Sequence, residues 1–268
     1  MHRFYQQYHT TKQKTMLSKA KIKFIQSLEL KKKRKEENLF VAEGPKVVGD
    51  LMPYFACRIL AATPEWLQAH PKAQAQEIIE VTTEELRKAS FLKTPQEVLA
   101  VFEIPSTPLP VDLPQRELCL ALDDVQDPGN LGTIIRLADW FGIRHIICSK
   151  GTTDAFSPKT VQASMGAVAR VSVHYTDLTE YLTTLRNSDA SIPIYGTFLE
   201  GNNIYQEELS TNGIIIMGNE GNGIGPDVAK HITHKLFIPN YPEGCVTSES
   251  LNVAIATAIT CSEFRRRG

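Results

Sequence analysis

The stretch that decides the fold is Ile214-Ile215-Ile216-Met217, followed directly by Gly218-Asn219-Glu220-Gly221-Asn222-Gly223-Ile224-Gly225. Four consecutive apolar residues predict a central strand that is buried on both faces, as strands of parallel sheets are. The glycines of the loop let backbone approach a ligand closely. Glu220 stands at the carboxyl end of the strand, where open α/β sheets bind ligands. A dinucleotide fingerprint is excluded, because Pro226 or Val228 falls at its last glycine position. The stretch therefore indicates a ligand site in an α/β fold and disfavours a dehydrogenase.

Strands and helices alternate on both sides of this central strand. Apolar runs of strand length lie at 118–122, 145–148, 171–173, 192–196 and 236–238. Helical spacing of apolar residues covers 131–141, 178–185 and 251–264. Such alternation predicts a mostly parallel sheet with helices on both faces.

A proline-rich stretch, with prolines at 105, 108, 110 and 114, predicts the domain boundary. Such a segment favours extended, semi-rigid chain. The sequence thus divides into a disordered basic tail at 1–15, a small α/β domain at 16–104, a linker at 105–116 and a larger α/β domain at 117–268. Ser18 is predicted to cap the first helix of the small domain, and Thr82 or Thr83 a later one.

Bulk properties exclude several classes of protein. No apolar run approaches 18 residues, so no transmembrane helix is expected. The first 15 residues lack the apolar core of a secretory signal. The five cysteines lack C-x-x-C spacing, which argues against zinc and against a disulfide framework. His231 and His234 have no neighbouring carboxylate or cysteine to complete a metal site. We therefore expect a cytoplasmic protein without a metal ion and without a membrane partner.

Positive charge is concentrated near the amino terminus. Between Lys12 and Lys46 there are eleven Lys/Arg and four Glu, a net charge of +7, whereas the whole chain carries −1. The run Lys31-Lys32-Lys33-Arg34-Lys35 has two interpretations. It is either a solvated helix end or a patch that contacts nucleic-acid phosphates.

A polar pair follows the strand at 118–122. Pro128-Gly129-Asn130 turns into a helix that holds Arg136, six residues after Asn130. Backbone N–H groups and the dipole at a helix amino terminus favour anions. Arg136 lies between apolar neighbours, where a charge needs a partner. It either forms a salt bridge with Asp139 or Asp124, or grips an RNA phosphate with two hydrogen bonds.

The third segment, Glu249-Ser250-Leu251-Asn252, precedes a helix rich in Ala, Thr and Ile. Ser250 is predicted first of all to cap that helix. Asn252 then falls in the first turn, from which it can hydrogen-bond to a neighbouring loop.

The three segments, in this order over about 125 residues, resemble the motifs of the SpoU family. These are RNA ribose 2′-O-methyltransferases of the SPOUT superfamily, which use S-adenosylmethionine. The resemblance implies a deep trefoil knot that forms the cofactor site, and a homodimer with active sites near the subunit interface. It implies catalytic roles for Asn130, Arg136, Glu220, Ser250 and Asn252. It also implies cofactor contacts, mainly through backbone, at Gly218, Ile238 and Leu251, with Thr197 nearby. One departure is the loop from Asn240 to Glu249, a few residues longer than is usual, in which Asn240 replaces the usual Met.

Residues 19–103 resemble the separate substrate-binding domain of the family, which has the small α/β fold of some RNA-binding ribosomal proteins. Lys31–Lys35 and Phe40–Lys46 carry that resemblance. It implies RNA contacts by Lys31, Lys32, Lys33, Arg34 and Lys46. RNA is the expected partner, and ribosomal RNA is favoured over transfer RNA. DNA is not expected to be a partner.

Alternatives remain open at this stage. Arginine stays protonated in proteins, so positioning of a phosphate suits Arg136 better than the role of base. Glu220 could accept a proton, or orient Arg136 or Asn130. The rival functions are a transfer-RNA 2′-O-methyltransferase, a base methyltransferase of the same superfamily, and a non-catalytic RNA-binding protein that keeps the fold.

Overall fold

The computed structural model describes residues 11–12, 17–242, 245, 248 and 250–267. Contacts within the chain define two compact units. The first comprises Met1–Ser106 with Phe156–Ala169, and the second comprises Thr107–Ala155 with Arg170–Gly268. The inclusion of 156–169 in the first unit departs from the continuous division that the sequence predicted.

The described part of the chain contains eleven strands, eleven α-helices and a 3-10 helix at Ala167–Ala169, with the strands and α-helices numbered in chain order. The strands are β1 (Thr11–Lys12), β2 (Leu39–Glu43), β3 (Cys57–Ala62), β4 (Glu77–Glu80), β5 (Val98–Glu103), β6 (Leu118–Leu122), β7 (His145–Ser149), β8 (Ser172–Thr176), β9 (Ile194–Asn203), β10 (Gly213–Met217) and β11 (His234–Phe237). The helices are α1 (Lys19–Ser27), α2 (Lys31–Glu37), α3 (Pro45–Leu51), α4 (Pro64–Ala69), α5 (Thr83–Ala89), α6 (Leu113–Arg116), α7 (Pro128–Trp140), α8 (Pro158–Ser164), α9 (Leu178–Ser188), α10 (Pro226–Ala229) and α11 (Val253–Arg267). Within these described residues, no helix is long and apolar enough to cross a bilayer.

The first unit contains a mixed sheet in the order β1-β4-β3-β5-β2. β5 runs antiparallel to both β2 and β3, whereas β4 is parallel to β3 and to β1. The pairing of Thr11–Lys12 with β4 corrects the predicted disorder for those two residues. The rest of the predicted tail lies outside the described residues.

The helix caps that the sequence predicted for the first unit are present in the structure. The Ser18 side chain accepts a hydrogen bond from the Lys21 amide (3.3 Å), and Thr82 and Glu85 form a reciprocal capping box. Both predicted caps are confirmed, with Thr82 rather than Thr83 as the second. α4 and α8 were not predicted, because each is short and begins with a proline that resembles a turn signal.

An aromatic cluster anchors 156–169 in the first unit. The Phe156 ring lies 4.8 Å from Phe40 and 6.5 Å from Phe55, measured between ring centroids. Phe40 also packs edge-on against Phe55 at 5.2 Å. Aromatic pairs at these distances stabilise beyond the area they bury, so Phe156 ties its segment to the core beside β2.

The second unit contains a parallel sheet in the order β11-β9-β10-β6-β7-β8. β10 and β6 lie in the middle, paired from Gly213↔Leu118 to Met217↔Leu122, and every residue of both strands is buried. The prediction of a central strand buried on both faces is therefore confirmed. From β6 the chain continues to β7, which lies on one side of this central pair, whereas β9 and β11 lie on the other side, beyond β10. The order of the strands therefore switches direction between β6 and β10. A crevice for ligands opens at such a switch point, beyond the carboxyl ends of the strands.

Two helices of the second unit pack against each other. α7 contacts α11, and Arg265 of α11 donates from Nε to the Phe141 carbonyl (2.7 Å) just beyond the end of α7. α7 begins three residues earlier than predicted, because Asp127 caps it and Pro128 occupies its first position. The predicted linker also contains the short helix α6, whose Leu113 and Pro114 are buried.

Candidate active site

Three loops meet at the carboxyl edge of the parallel sheet. They are 123–127 after β6, 218–225 after β10, and 250–252 before α11. Because β6 and β10 are neighbouring parallel strands, their carboxyl ends lie at the same edge of the sheet, and the loops that follow them are adjacent. Hydrogen bonds from side chains connect all three.

The carboxylate of Glu220 is held by the first of these loops and by α7. Its Oε1 accepts from Asn130 Nδ2 (2.9 Å) and from the Asp127 amide (3.4 Å), and its Oε2 accepts from the Gln126 amide (3.2 Å). Partial burial acts to raise the pKa of Glu220, but these hydrogen bonds outweigh it and lower the pKa below its ordinary value. Glu220 is thus a fixed carboxylate that is ionised at neutral pH. Of the alternatives left open by the sequence, the structure pairs it with Asn130.

Asn130, in the first turn of α7, links Glu220 of the second loop to Asn252 of the third. The Oδ1 of Asn130 accepts from Asn252 Nδ2 (3.0 Å), while its own Nδ2 donates to Glu220. We call this set, Asn130, Glu220 and Asn252, the amide junction. It brings together one residue from each of the three sequence motifs.

The cap of α11 corrects the prediction for Ser250. The Oδ1 of Asn252 accepts from the amides of Ala254 (2.9 Å) and Ile255 (3.3 Å), so Asn252 is the capping residue. The helix begins at Val253, and Ser250 lies exposed before it. Both residue types cap helices well, and the spacing alone did not distinguish them. Asn252 therefore caps the helix and binds Asn130 with the same side chain.

Arg136 is exposed on the outer face of α7, which corrects the expectation that apolar neighbours would bury it. Neither predicted salt bridge forms. Asp139 binds Arg170 instead, through contacts of 2.7–3.1 Å, and the Asp124 carboxylate accepts from Ser149 Oγ. Among the described residues Arg136 has no ion pair, so its guanidinium donors face solvent.

Of the expected cofactor residues, Gly218 and Ile238 directly follow β10 and β11, Thr197 lies within β9, and Leu251 precedes α11. Thr197 donates from Oγ1 to the Met217 sulfur (3.7 Å), and Leu251 is 48% exposed. Leu251 directly precedes Asn252 of the amide junction, and its exposed side chain is accessible to a ligand there. These residues thus suit S-adenosylmethionine, and their individual contacts with it remain predictions.

Gly218 is required for a reason that the sequence did not show. A Cβ at Gly218 would overlap the backbone of Gly223 and Ile224, because the loop folds back onto the end of β10. Its φ lies outside the left-handed region that favours glycine. The glycine therefore permits the loop itself to close, whatever it also permits for a ligand.

The basic residues fall into two groups. Arg34 is 2% exposed, and its guanidinium donates to the carbonyls of Leu28 (2.7 Å) and Glu29 (2.6 Å). It closes the end of α1 and is not available to RNA, which corrects its predicted role. The reason is geometric: even on a helix as short as α2, one side must face the core.

Four lysines remain candidates for RNA contacts. Lys31 is exposed, and the Lys32 side chain is 88% exposed. Lys33 pairs with Glu37 (2.7 Å) and Lys46 with Asp50 (2.8 Å). Ion pairs at exposed sites contribute little energy, so phosphates can compete for these lysines.

The sequence did not predict the contacts that three polar residues make at the same edge. Asp123 is buried and accepts from the Gly225 amide (2.7 Å), Asp124 adopts φ 58°, and Asn219 donates to the Asp124 carbonyl (2.7 Å). Burial raises the pKa of Asp123. The only signal was position, since each residue directly follows or nearly follows a central strand.

Comparison with known proteins gives two family matches. Residues 117–262 match the model of the SpoU rRNA Methylase family, and residues 19–100 match the MRM3-like substrate binding domain. A curated relative from Bacillus subtilis (strain 168), 23S rRNA (guanosine(2553)-2′-O)-methyltransferase RlmP, is 31% identical over 248 residues, which is 91% of this chain and 96% of the relative.

Two solved structures are also similar to the chain. A putative RNA methyltransferase of the TrmH family from Porphyromonas gingivalis has 46% identity and a TM-score of 0.86, covering 95% of this chain and 100% of that one. The AdoMet-bound rRNA methyltransferase from Sinorhizobium meliloti has 33% identity and a TM-score of 0.79, covering 92% and 94%.

Proposed function

The chain belongs to the SpoU rRNA methylase family and is an S-adenosylmethionine-dependent RNA ribose 2′-O-methyltransferase, and we propose that its substrate is ribosomal RNA. The resemblance carried by the three motifs is thereby confirmed. Support for ribosomal RNA comes from the match to a substrate-binding domain and from the relative that acts on a guanosine of 23S rRNA. Transfer RNA is the alternative that the experiment must exclude.

The observations that carry the proposed mechanism are the amide junction and an exposed arginine, Arg136, on the same helix α7. S-adenosylmethionine, when bound, supplies an electrophilic methyl group. The NH2 group of a carboxamide has two hydrogens. In the described part of the chain, the junction uses one from Asn130 and one from Asn252. The second hydrogen of each can therefore orient a ribose oxygen.

Glu220 and Arg136 receive different roles in this mechanism. The lowered pKa of Glu220 makes its carboxylate a weak base, and both of its oxygens already accept hydrogen bonds. We assign it the orientation of Asn130. Arg136 presents a planar, charged fork that suits an RNA phosphate, and holding that phosphate aligns the neighbouring 2′-hydroxyl for in-line attack.

One experiment tests the substrate. Purified protein is incubated with S-adenosylmethionine labelled in its methyl group and with ribosomal or transfer RNA from a strain that lacks the gene. Label in ribosomal RNA that digests to a 2′-O-methylnucleoside supports the proposal, and sequencing of methylated positions then identifies the nucleotide. Label in transfer RNA, or in a base, contradicts it. RNA binding without transfer would favour the non-catalytic alternative. A DNA oligonucleotide is the matched control, because it lacks the acceptor hydroxyl.

We also propose that the protein acts as a homodimer in the cytoplasm, with the knot of its family. The surface proposed for the dimer is the pair of helices α7 and α11, on which Trp140 is 83% exposed and Ile255 is 53% exposed. All five cysteines are free, as suits a reducing compartment. The molar mass in solution, compared between the wild type and Trp140→Asp, tests the dimer. A wild-type monomer would contradict it.

A further inference from the structure

The side chain of Asn219 makes hydrogen bonds in two directions from the loop that carries Glu220. Its Nδ2 donates to the Asp124 carbonyl (2.7 Å) on the neighbouring loop. Its Oδ1 accepts from the amides of Gly221 (2.9 Å) and Asn222 (3.0 Å) within its own loop. One carboxamide therefore shapes the loop and also attaches it to the next.

The backbone of Asn219 closes the same turn. Asn219 and Gly223 exchange both N–H···O bonds, at 2.9 and 3.0 Å, and Gly223 takes φ 68°, which favours glycine. Glu220 is the first residue inside this turn. The direction of its carboxylate is consequently set by a turn whose shape depends on the oxygen of Asn219.

Asn219 and Glu220 bind the same neighbouring loop at two points. Asn219 holds the Asp124 carbonyl, and Glu220 holds the amides of Gln126 and Asp127. That loop is itself fixed, because Ser149 Oγ accepts from the Asp124 amide (2.9 Å) and donates to its carboxylate (2.6 Å). Two attachments fix both the position and the rotation of Glu220, whereas one attachment would leave it free to swing.

We infer that Asn219 is a positioning residue for methyl transfer, acting through Glu220 on Asn130. The inference rests on the proposed role of Glu220 in orienting Asn130. It assigns catalytic consequences to a side chain that need not touch RNA or cofactor. Displacement of a reacting group by about 1 Å can cost about 100-fold in rate, which is why a second attachment matters.

Asn219→Asp is the main test, because it preserves the shape of the side chain. The carboxylate still accepts from Gly221 and Asn222, but it offers an oxygen instead of a donor to the Asp124 carbonyl. Asn222→Asp is the matched control. It adds the same charge in the same loop, at an exposed residue whose side chain has no hydrogen bond within the described residues.

The expected result is a fall of about 10- to 100-fold in the single-turnover rate of Asn219→Asp, with unchanged S-adenosylmethionine affinity. The acid limb of its pH–rate profile should move to higher pH, because a loosened Glu220 no longer has the hydrogen bonds that lower its pKa. Asn222→Asp should keep the wild-type rate. A merely structural role would lower the melting temperature of Asn219→Asp without moving the acid limb, and that outcome would overturn the inference.

Two further variants keep the test decisive. If Asn219→Asp does not fold, Asn219→Ser replaces it, since serine is uncharged and too short to reach Asp124 but can still accept within the turn. A wild-type rate in Asn219→Ser would overturn the inference. Glu220→Gln is measured alongside. A normal rate in Glu220→Gln removes the proposed role of Glu220 itself, whereas a slow Glu220→Gln with a normal Asn219→Asp removes the role of Asn219 alone.

Discussion

The amide junction and helix α2 are both polar regions that we assign to RNA methylation, but they are built in opposite ways. Asn130, Glu220 and Asn252 hold one another through uncharged amides and one carboxylate, at 2.9–3.0 Å. Lys32 and Lys33 of α2 instead pair with Glu36 and Glu37 of their own helix, and Lys32 remains 88% exposed. The difference suggests a division of labour. The junction fixes geometry and should govern the rate of transfer, whereas α2 supplies adjustable charge and should govern RNA affinity.

Arg136→Ala is expected to have the largest effect. Removal of one charged group that stabilises the reacting centre typically lowers the rate by about 100- to 1000-fold. The fold should not change, because the side chain is exposed and lacks an ion pair among the described residues. Single-turnover methyl transfer measures the effect, with Arg144→Ala, another exposed arginine of the same unit, as the control. A rate within a few-fold of wild type would contradict the role of Arg136.

Asn130→Ala should have the next largest effect and would separate the two regions directly. It breaks the junction on both sides, so the rate at saturating RNA should fall by about 10- to 100-fold. RNA affinity should change much less than the rate, because the lysines of α2 are untouched. Asn187→Ala, at an exposed asparagine of α9, is the matched control. Weaker RNA binding with a normal maximal rate would reverse the division of labour.

Gly218→Ala and Gly221→Ala form a matched pair that tests what supports the junction. A Cβ at Gly218 would overlap the backbone of Gly223, whereas one at Gly221 would meet only Asn219 Oδ1 at 3.6 Å, an ordinary contact. Overpacking of this kind costs about 1–3 kcal/mol. Thermal melts with and without S-adenosylmethionine should show lower stability and a smaller ligand-induced increase for Gly218→Ala only. Equal melts for the two variants would show that the loop rearranges freely.

The smallest expected effect lies in α2. Neutralising Lys31 and Lys32 should lower the slope of log affinity against log salt by about 0.7–0.9 for each RNA phosphate that the protein no longer neutralises. Arg34→Ala should leave that slope unchanged and instead lower the free energy of unfolding by about 1–3 kcal/mol, since it leaves the Leu28 and Glu29 carbonyls without their donor. RNA binding titrated at several salt concentrations distinguishes these results. A salt-dependence slope that changes only in Arg34→Ala would contradict the assignment of Lys31 and Lys32 to RNA binding.

The sequence predicted the structure of the candidate active-site edge better than that of helix α2, for a physical reason. The apolar run 214–217 favours a buried strand, as observed for β10, and the glycines and Glu220 after it indicate where a ligand site is expected. In the basic run every residue is charged, so periodicity could not show that Arg34 turns inward. The contact of Asn130 with Asn252 joins residues 122 positions apart and follows from topology, not from local pattern.

Two other differences arise from choices between equivalent residues or from distant packing. Ser250 and Asn252 are both good caps, and only the start of α11 at Val253 selects Asn252. Phe156 joins the core of the first unit although it lies within the sequence of the second, because its ring completes an aromatic cluster with Phe40 and Phe55. Local periodicity contains no information on such a contact.

The central claim is that the three motifs act as one unit, and a double-mutant cycle on methyl transfer tests it most directly. Asn252→Asp keeps the oxygen that caps α11 but removes the donor to Asn130 Oδ1. Asn130→Ala removes the same bond from the other side. Residues joined in one network show coupling of about 0.5–3 kcal/mol, so the double variant should be little slower than the slower single variant. If the two rate effects multiply instead, the residues act independently and the account of a single amide junction is contradicted.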